Sequence, residues 1–248
     1  MNIFKEIFGR IWALWGLVLF VVTMLIVFPF YLPCFMLAKG PAAAWHRNVC
    51  AVWMRFYLFF IGCSFKVRNA ELFEAGKNYV VVCNHNSLMD VPITTPFMPR
   101  PNKTIAKKSF SYIPFFGWIY SLGSVLVDRK NERQRRESYE KMKEVLHIGL
   151  DMLIYPEGTR NRTGEPLKSF YDGAFKLSVD TGRPVMPALI FNTGKVLPVN
   201  KSFFLWPAKM EMHFLPPVTA QGMPARELKD KIFKYMWEYY KDNQSKLL

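Results

Sequence analysis

Hydrophobic and polar residues follow two different patterns along this chain of 248 residues. Up to about residue 65 there are two long apolar stretches, and beyond it short hydrophobic runs alternate with segments of helical periodicity. The short runs are rich in β-branched or aromatic residues, and they predict strands at residues 79–83, 124–127, 152–155, 185–190 and 209–215. Helices are predicted at residues 131–150 and 225–240. This alternation predicts a single α/β domain.

The predicted C-terminal helix carries a stripe of apolar residues with lysines between them. The residues that recur at helical spacing are Leu228, Ile232, Tyr235, Met236 and Tyr239. Such a stripe can pack on a sheet or contact a membrane, and packing on the sheet is the favoured interpretation.

The first apolar stretch, residues 11–37, contains no polar residue except Thr23. A straight helix of this length would be about 40 Å long, which is enough to cross a bilayer. Pro29 and Pro33 complicate that interpretation, because each removes a backbone donor and tends to kink or end a helix. Cys34-Phe35-Met36 is not a small-residue cleavage site, so the stretch is not interpreted as a cleavable signal peptide.

The second apolar stretch, residues 51–65, contains Arg55 and is rich in aromatic residues. It is too short and too charged to span a bilayer comfortably. Two arrangements stay open: one spanning helix, or a helical hairpin that dips into one leaflet. Aromatic-rich helices with one charge suit the membrane interface and favour the hairpin. Basic residues on both sides of the first stretch give no orientation signal, which also suits an anchor that does not span.

Composition allows a packed core, since 51% of the residues are hydrophobic and 21% are charged. The formal net charge is +14, and half of it lies in one region. Residues 100–136 contain nine Lys or Arg against Asp128 and Glu132, a net charge of +7. This concentration indicates a local site or surface for nucleic acid, an anionic membrane or a phosphorylated substrate, and charge alone does not choose among them. The C-terminal half of the region can equally be explained as a solvated helix face.

The four cysteines show no paired spacing; they are Cys34, Cys50, Cys63 and Cys83. They lie in or beside apolar segments, where cysteines usually behave as small buried hydrophobic residues. No disulfide framework or zinc site is predicted, and a reducing, cytosol-facing location fits best.

Two polar loops follow predicted strands, and the first of them, residues 84–90, contains His85 and Asp90. On one regular helix these two residues would point about 140° apart, so they can meet only if His85 lies in the loop and Asp90 in the first turn of a helix. Ser87 as N-cap would provide that helix start. Asp90 could then orient the imidazole of a general base. Alternatively, Asp90 completes a capping box with Ser87, and His85 is an ordinary loop histidine.

The second loop, residues 155–160, follows the strand predicted at 152–155. Gly158 permits a tight or left-handed turn, and Arg160 can offer a planar fork of donors to a phosphate. Taken alone, the loop can also be an ordinary Pro-Glu-Gly turn. Together with the basic region at residues 100–136, it indicates a phosphorylated ligand.

Several other chemistries have no recognisable motif in this chain. It contains no Gly-x-Ser-x-Gly nucleophile elbow, no Gly-Lys-Ser/Thr phosphate loop and no Gly-x-Gly-x-x-Gly. His46, His147 and His213 are scattered, and each is assigned a structural role.

The two loops, Asn84-His85-x4-Asp90 and Pro156-Glu157-Gly158-Thr159-Arg160, resemble motifs of the glycerolipid acyltransferase family. The likeness is closest to those members that acylate 1-acylglycerol 3-phosphate. Residues 105–110, 113–117 and 127–129 are similar to the family's second motif, and residues 185–188 to its fourth, apolar motif. The four motifs occur in the family's order over residues 79–190, and the ordered set is highly specific.

The resemblance implies a single mixed-sheet α/β acyltransferase domain flanked by helices at residues 65–248, preceded by membrane-anchoring helices at residues 1–64. The implied reaction transfers an acyl group from a thioester to the free sn-2 hydroxyl of 1-acylglycerol 3-phosphate, which gives phosphatidic acid in phospholipid biosynthesis. His85 would be the general base, and Asp90 would orient it. The implied acceptor-binding residues are Lys107, Arg129, Glu157, Gly158, Thr159 and Arg160.

The resemblance also implies the partners. They are a lysophospholipid acceptor, an acyl thioester of coenzyme A or of acyl carrier protein, and the bilayer; no cofactor, metal or nucleic acid is expected. The catalytic domain would face the cytoplasm at the cell membrane. Two alternatives stay open: the acceptor is glycerol 3-phosphate or another lysolipid such as a lyso-aminolipid, or the protein is a non-enzymatic binder of anionic lipid or nucleic acid.

One position departs from the family's pattern. Related sequences often carry a lysine after the arginine loop at the position where this chain has Tyr171. Lys168, three residues earlier, is near enough in sequence to substitute for that lysine.

Overall fold

The computed structural model describes residues 3–128 and 131–244, which contain a seven-stranded mixed sheet with helices on both faces. The strands are β1 Ser64–Arg68, β2 Val80–Cys83, β3 Asn102–Lys107, β4 Ser124–Val127, β5 Asp151–Ile154, β6 Val185–Phe191 and β7 Lys209–Phe214. Their order across the sheet is β1-β7-β6-β2-β5-β3-β4. Strand β7 is antiparallel to β6, and every other neighbouring pair is parallel. The predicted α/β class with a mixed sheet is confirmed.

Eight α-helices are present in the part of the chain that the structure describes. They are α1 Ile3–Val27, α2 Lys39–Phe60, α3 Asp90–Phe97, α4 Phe116–Leu122, α5 Glu132–His147, α6 Gly173–Thr181, α7 Thr193–Val196 and α8 Ala225–Gln244. Short 3₁₀ segments occupy Phe28–Phe35, Ala70–Leu72 and Lys108–Tyr112. The helices predicted at residues 131–150 and 225–240 correspond to α5 and α8.

The central strand β2 is buried on both faces and separates two halves of the core. Val81 and Cys83 pack with residues of α1, α2 and α3, whereas Val80 and Val82 pack with residues of α5, α6 and α8. Side chains alternate across a strand, so a strand covered on both faces is apolar at every position. The apolar stripe of α8 lies in the second half, where Leu228, Ile232 and Met236 are fully buried, as predicted.

Two strands, β1 and β3, were not predicted. Strand β1 is at the edge of the sheet beside β7, and its residues are only half-buried or exposed. Strand β3 has the sequence Asn-Lys-Thr-Ile-Ala-Lys, which looks like part of a basic loop. Both gain their strand conformation from pairing with neighbours that are distant in sequence, and local propensity does not encode that pairing.

The N-terminal helices form an antiparallel pair. Near the beginning of α1, Trp12 Nε1 donates to Ile61 O at 2.9 Å, just beyond the end of α2. Farther along, Trp53 Nε1 donates to Thr23 Oγ1 at 2.8 Å. Helix α1 ends at Val27, and Pro29 lies in the 3₁₀ turn that follows, so the chain reverses where the prolines predicted a kink.

Helix α2 connects this pair to the α/β domain through α4 and the end of α3. Its His46 Nε2 lies 3.0 Å from Ile119 O, and its Arg47 Nε donates to Met98 O at 2.6 Å. Helix α1 also contacts the domain: a Cβ added at Gly9 would lie 2.2 Å from Phe204, and one added at Gly16 would lie 2.9 Å from Leu205. A side chain at either position would displace the Phe204 or Leu205 side chain, so the two glycines permit the close approach of α1.

The outer side of α1 is apolar and exposed. Residues 3–35, which comprise α1 and the following 3₁₀ segment, contain an 18-residue window with a mean hydropathy of 2.6. They are the helical stretch among the described residues that is long and apolar enough to cross a membrane, by length and composition alone. Exposed side chains on it include Ile11, Leu14, Val18, Val22 and Ile26.

Candidate active site

The two polar loops meet because β2 and β5 are adjacent parallel strands. Loop 84–90 follows β2 and loop 155–160 follows β5, so both begin at the carboxyl edge of the sheet, where ligands of α/β proteins bind. Asn161 N donates to His85 O at 2.6 Å, which joins the second loop directly to the histidine of the first.

His85 lies in the loop and Asp90 is the first residue of α3, as their meeting required. His85 Nδ1 and Asp90 Oδ2 are 2.7 Å apart. The predicted N-cap is wrong: the N-cap residue is Met89, not Ser87. Ser87 Oγ instead accepts from Met89 N and donates to Leu197 O, which ties the loop to the segment after α7.

One oxygen of Asp90 holds both the imidazole and the loop backbone. Besides His85 Nδ1, Asp90 Oδ2 accepts the backbone N–H groups of Asn86 at 2.7 Å and Ser87 at 2.8 Å. The bond to Ser87 N is one that the capping-box interpretation required, but Ser87 is not the N-cap, and the same oxygen also contacts the imidazole. Because Nδ1 donates to the carboxylate, the other ring nitrogen, Nε2, is the one that can accept a proton.

The imidazole is further positioned by Tyr155, which sequence analysis did not single out. The rings of His85 and Tyr155 are stacked, with their centroids 4.5 Å apart. Tyr155 OH lies 2.6 Å from Thr94 Oγ1, which itself donates to Asp90 O. The Tyr155 ring thus contacts His85 directly, and the Tyr155 hydroxyl is linked through Thr94 to the Asp90 backbone.

Glu157 is fully buried and does not contribute to the wall of the adjacent cavity. Its two carboxylate oxygens accept backbone N–H groups from His85 at 2.9 Å and Lys168 at 3.2 Å. Burial raises the pKa of Glu157 to about 7, although both amide hydrogen bonds act in the opposite direction. Glu157 therefore holds the backbone of the histidine loop and that of Lys168 to the arginine loop.

A cavity of about 1140 Å³ opens beside His85. This is slightly above the range of about 300–1,000 Å³ that is usual for small-molecule sites. One part of its wall is apolar; it includes Phe116 and Ile119 of α4 and extends to the N-terminal helices, where Phe20 and Trp53 line it. The cavity therefore combines a polar, basic region with a long apolar one.

The basic region of the wall has more cations than anions. Its Lys and Arg residues are Lys107, Lys108, Arg160 and Arg162, against Asp128 as the one acid among the described lining residues. Among the described residues, the Arg160 guanidinium has no carboxylate within ion-pair distance. Arg129, predicted to bind substrate, lies outside the described residues. Uncompensated positive charge in a cavity favours an anionic ligand.

Gly158 and Thr159 also line the cavity. Gly158 has a φ of 72°, the left-handed region in which glycine is favoured, so the loop turns sharply before Arg160. Thr159 Oγ1 accepts a hydrogen bond from Lys168 Nζ at 3.0 Å. Lys168 thus approaches the arginine loop, whereas the Tyr171 side chain is largely exposed.

Asn84 is a second functional candidate that sequence reasoning missed. It is fully buried, and its side-chain amide accepts from Ile190 N at 2.6 Å and donates to Ile190 O at 3.0 Å. This side-chain pairing lies just beyond the last backbone pair of β2 and β6, Cys83 with Ala188, and ties the residue before His85 to β6. The sequence feature that could have identified Asn84 is its position directly before His85.

The chain's similarity to known proteins agrees with this geometry. Residues 64–191 match the family model described as acyltransferase. The match begins at β1, ends with β6 and includes both loops of the site. Because it covers more than half of the chain, this protein belongs to the acyltransferase family.

Several curated relatives have a more specific name. The 1-acyl-sn-glycerol-3-phosphate acyltransferase of Saccharomyces cerevisiae is 27% identical over 205 residues, which is 82% of this chain and 65% of that protein. The protein of the same name from Escherichia coli is 30% identical over 162 residues, 63% of this chain and 63% of that protein. The chain thus spans somewhat less than two thirds of the length of these relatives.

A solved structure shares the fold over almost the whole chain. The crystal structure of the 1-acyl-sn-glycerophosphate (LPA) acyltransferase PlsC from Thermotoga maritima superimposes with a TM-score of 0.82 at 24% sequence identity. The superposition covers 96% of this chain and 97% of that one. The arrangement of sheet and helices is therefore that of PlsC.

Proposed function

We propose that this protein transfers an acyl group from an acyl thioester to the sn-2 hydroxyl of 1-acylglycerol 3-phosphate, giving phosphatidic acid. The observation that carries the proposal is the His85–Asp90 pair, 2.7 Å apart, at the wall of a cavity with excess positive charge. The pair is suited to activating a hydroxyl, and the cations are suited to a phosphate. The names of the relatives support the same acceptor.

His85 acts as the general base in this proposal. The acceptor hydroxyl oxygen bonds to the thioester carbonyl carbon while its proton passes to Nε2 of His85. Asp90 stabilises the imidazolium that forms. Collapse of the tetrahedral intermediate breaks the carbon–sulfur bond, and the thiolate leaves and takes up a proton. A thioester is already activated, so the reaction needs mainly proximity and a base, and no covalent acyl-enzyme.

Arg160 and Lys107 bind the acceptor phosphate, with Gly158 and Thr159 shaping the loop around it. These four residues lie in the wall of the same cavity as His85. Glu157 acts indirectly, because it holds the backbone of His85 rather than facing the cavity. The apolar part of the wall, near Phe20 and Trp53, accommodates hydrocarbon from one or both substrates. The acyl donor is a thioester of coenzyme A or of acyl carrier protein.

The N-terminal pair of helices attaches the catalytic domain to one face of the membrane. Helix α1 is hydrogen-bonded to α2 and to Ile61 just beyond it, through Thr23 and Trp12, and its Gly9 O accepts Leu205 N of the domain. It exposes apolar residues along its outer side. These features support an anchor that lies in one leaflet rather than a spanning helix. The catalytic domain then faces the cytoplasm at the cell membrane.

The test is acyl transfer by the detergent-purified protein. The protein is assayed in parallel with 1-acylglycerol 3-phosphate, glycerol 3-phosphate and neutral lysolipids. Each acceptor is combined with an acyl thioester of coenzyme A and with one of acyl carrier protein. We expect phosphatidic acid from the first acceptor. Preference for another acceptor would retain the mechanism and change the substrate, whereas no product from any acceptor would overturn the proposal.

A further inference from the structure

The segment at residues 110–118, which follows β3 and includes the first turn of α4, exposes an unusual amount of apolar surface. Its exposed side chains are Phe110, Tyr112, Ile113, Phe115 and Trp118, with Tyr112 at 72% and Trp118 at 58%. We call this segment the aromatic loop. Contiguous exposed apolar surface of this kind marks an interaction site in a soluble environment or a membrane contact.

The aromatic loop has a defined conformation, with backbone hydrogen bonds between its own residues. Gly117 N donates to Ile113 O at 2.7 Å, and Trp118 N donates to Phe115 O at 3.2 Å. The turn is so tight that a Cβ at Gly117 would lie 2.2 Å from Ser111 O. Backbone groups that are satisfied internally can enter an apolar medium without the cost of unpaired donors.

Phe115 adopts a backbone conformation that is unfavourable for its side chain. Its φ of 59° and ψ of −56° lie in a region that bulky residues rarely adopt. The conformation directs the Phe115 ring against Phe28 in the 3₁₀ turn between α1 and α2, with centroids 5.2 Å apart. Strain of this kind persists where the surrounding structure enforces it and is frequent at functional sites.

The aromatic loop continues the apolar surface of the helix pair. Trp118 contacts Phe28 and Phe35 of the 3₁₀ turn, at centroid distances of 5.8 and 6.1 Å. The turn itself exposes Phe30 at 57%, and Met36 just beyond it at 91%. The two segments therefore present one surface that no described residue covers. Trp and Tyr side chains together with nearby lysines, here Lys107 and Lys108, are typical of the bilayer interface.

From this juxtaposition we propose that the aromatic loop inserts into the bilayer interface beside the α1–α2 turn and brings the cavity into contact with the lipid. Phe110, Tyr112 and Phe116 also line the cavity, so the same segment forms part of the cavity wall and of the membrane surface. A lipid acceptor could then move from the leaflet into the cavity along one continuous apolar path. The inference rests on the proposed membrane attachment and adds a contact outside the N-terminal helices.

The test uses single cysteines that carry an environment-sensitive fluorophore, in the full chain with phosphatidylcholine–phosphatidylglycerol vesicles. Ile113→Cys reports on the aromatic loop, Val18→Cys on α1, and Lys234→Cys on the opposite face of the sheet, where that lysine side chain is 79% exposed. The four native cysteines are buried, so the unaltered protein serves as the labelling control. Nitroxide-bearing lipids in the vesicles quench any fluorophore that enters the bilayer.

We expect quenching at positions 113 and 18 and none at 234. Quenching at 18 without quenching at 113 would overturn the inference and leave the anchoring role of α1 intact. Absence of quenching at both would overturn membrane attachment as well. Acyl transfer in detergent, measured separately, distinguishes these outcomes from failure of the proposed reaction.

A substitution provides a second measurement. Trp118→Ser removes an exposed ring that does not line the cavity, and we expect vesicle affinity to fall about three- to tenfold. The matched control is Val179→Ser, which removes an exposed apolar side chain on α6. Thermal unfolding of both variants, measured in parallel, confirms that each remains folded at the temperature of the vesicle assay, since Trp118→Ser also loses ring contacts with Phe28 and Phe35. Equal vesicle affinity for Trp118→Ser and Val179→Ser would contradict the inference.

Discussion

The carboxylate of Glu157 accepts the backbone N–H of His85 at a distance of 2.9 Å. The two residues are 72 positions apart in sequence, and the bond connects the arginine loop to the histidine loop. The other oxygen of Glu157 accepts Lys168 N, so one buried carboxylate positions three segments around the cavity. The base and the proposed phosphate-binding loop therefore cannot move independently.

Replacement of Glu157 by glutamine should change the pH dependence of stability. The pKa of Glu157 is raised to about 7 by burial, from an ordinary value of 4.5. The folded protein therefore binds this proton more tightly than the unfolded chain, and the stability linked to Glu157 is lost as pH rises from about 4.5 to about 7. This loss amounts to about 3 kcal/mol. In Glu157→Gln, the free energy of unfolding should fall less steeply across that interval.

The measurement is chemical unfolding in detergent at several pH values between 4.5 and 7.5. Asp151, whose pKa is also raised to about 7 by burial, contributes a similar slope, and Asp151→Asn is the matched control away from the cavity. Glutamine offers one acceptor where Glu157 offers two, so Glu157→Gln should also reduce kcat, whereas Asp151→Asn should not. An unchanged pH slope in Glu157→Gln would contradict the raised pKa of Glu157, and an unchanged kcat would contradict its role in positioning His85.

Removal of the His85 imidazole should abolish acyl transfer without unfolding the protein. General base catalysis is typically worth about 10²–10⁴ in rate, so kcat of His85→Ala should fall by at least that factor. The side chain lies at the cavity wall, and its backbone bonds to Glu157 and Asn161 do not depend on the ring. Turnover of purified His85→Ala, measured beside its thermal unfolding, checks this. Normal turnover would refute His85 as the base.

Arg160→Ala should weaken binding of the acceptor more than it slows chemistry. Loss of a bidentate charged contact to phosphate should raise the acceptor KM by about ten- to a hundredfold and reduce discrimination against dephosphorylated acceptors. Arg133→Ala is the control, because Arg133 is an exposed arginine of α5 that pairs with Glu137 away from the cavity. The measurement is steady-state kinetics with the phosphorylated and the dephosphorylated acceptor. If Arg160→Ala kept the KM and selectivity of the unaltered protein, phosphate binding by Arg160 would be refuted.

Lys168 should supply the positive charge that related sequences place at position 171. Its Nζ donates to Thr159 Oγ1 beside Arg160, so Lys168→Met should raise the acceptor KM about three- to tenfold. Tyr171 is largely exposed, so Tyr171→Lys can be made in the same background without repacking. We expect Tyr171→Lys to restore part of the affinity. Kinetics of the single and double variants measure this, and an unchanged KM in Lys168→Met would exclude Lys168.

Both ends of the first apolar stretch should be accessible from the same side of the membrane. Helix α2 packs on the sheet, and α1 packs on α2, so a spanning arrangement would separate bonded partners such as Trp53 and Thr23. The introduced cysteines of Lys5→Cys and Lys39→Cys should therefore react with a membrane-impermeant reagent from the same side of sealed vesicles. Reaction from opposite sides would identify a spanning helix.

Several features of this protein were determined by local sequence. Strand β2 is apolar at every position because it is buried on both faces, so its composition identified it. The spacing of His85 and Asp90 already required a loop residue and a helix start, and the structure has both. The prolines at positions 29 and 33 likewise placed the end of α1. In each case the physical constraint acts between residues that are near in sequence.

Only the tertiary structure decided how distant segments combine. Strands β1 and β3 have weak local signals and depend on partners elsewhere in the sheet. Glu157 looked like a residue of the acceptor site, but pairing of β2 with β5 places it beneath the loops, bonded to the His85 backbone. The same pairing of β2 with β5 brings the Tyr155 ring against the His85 imidazole. Burial and hydrogen bonding between distant residues depend on the packed fold, and no local pattern of residues encodes them.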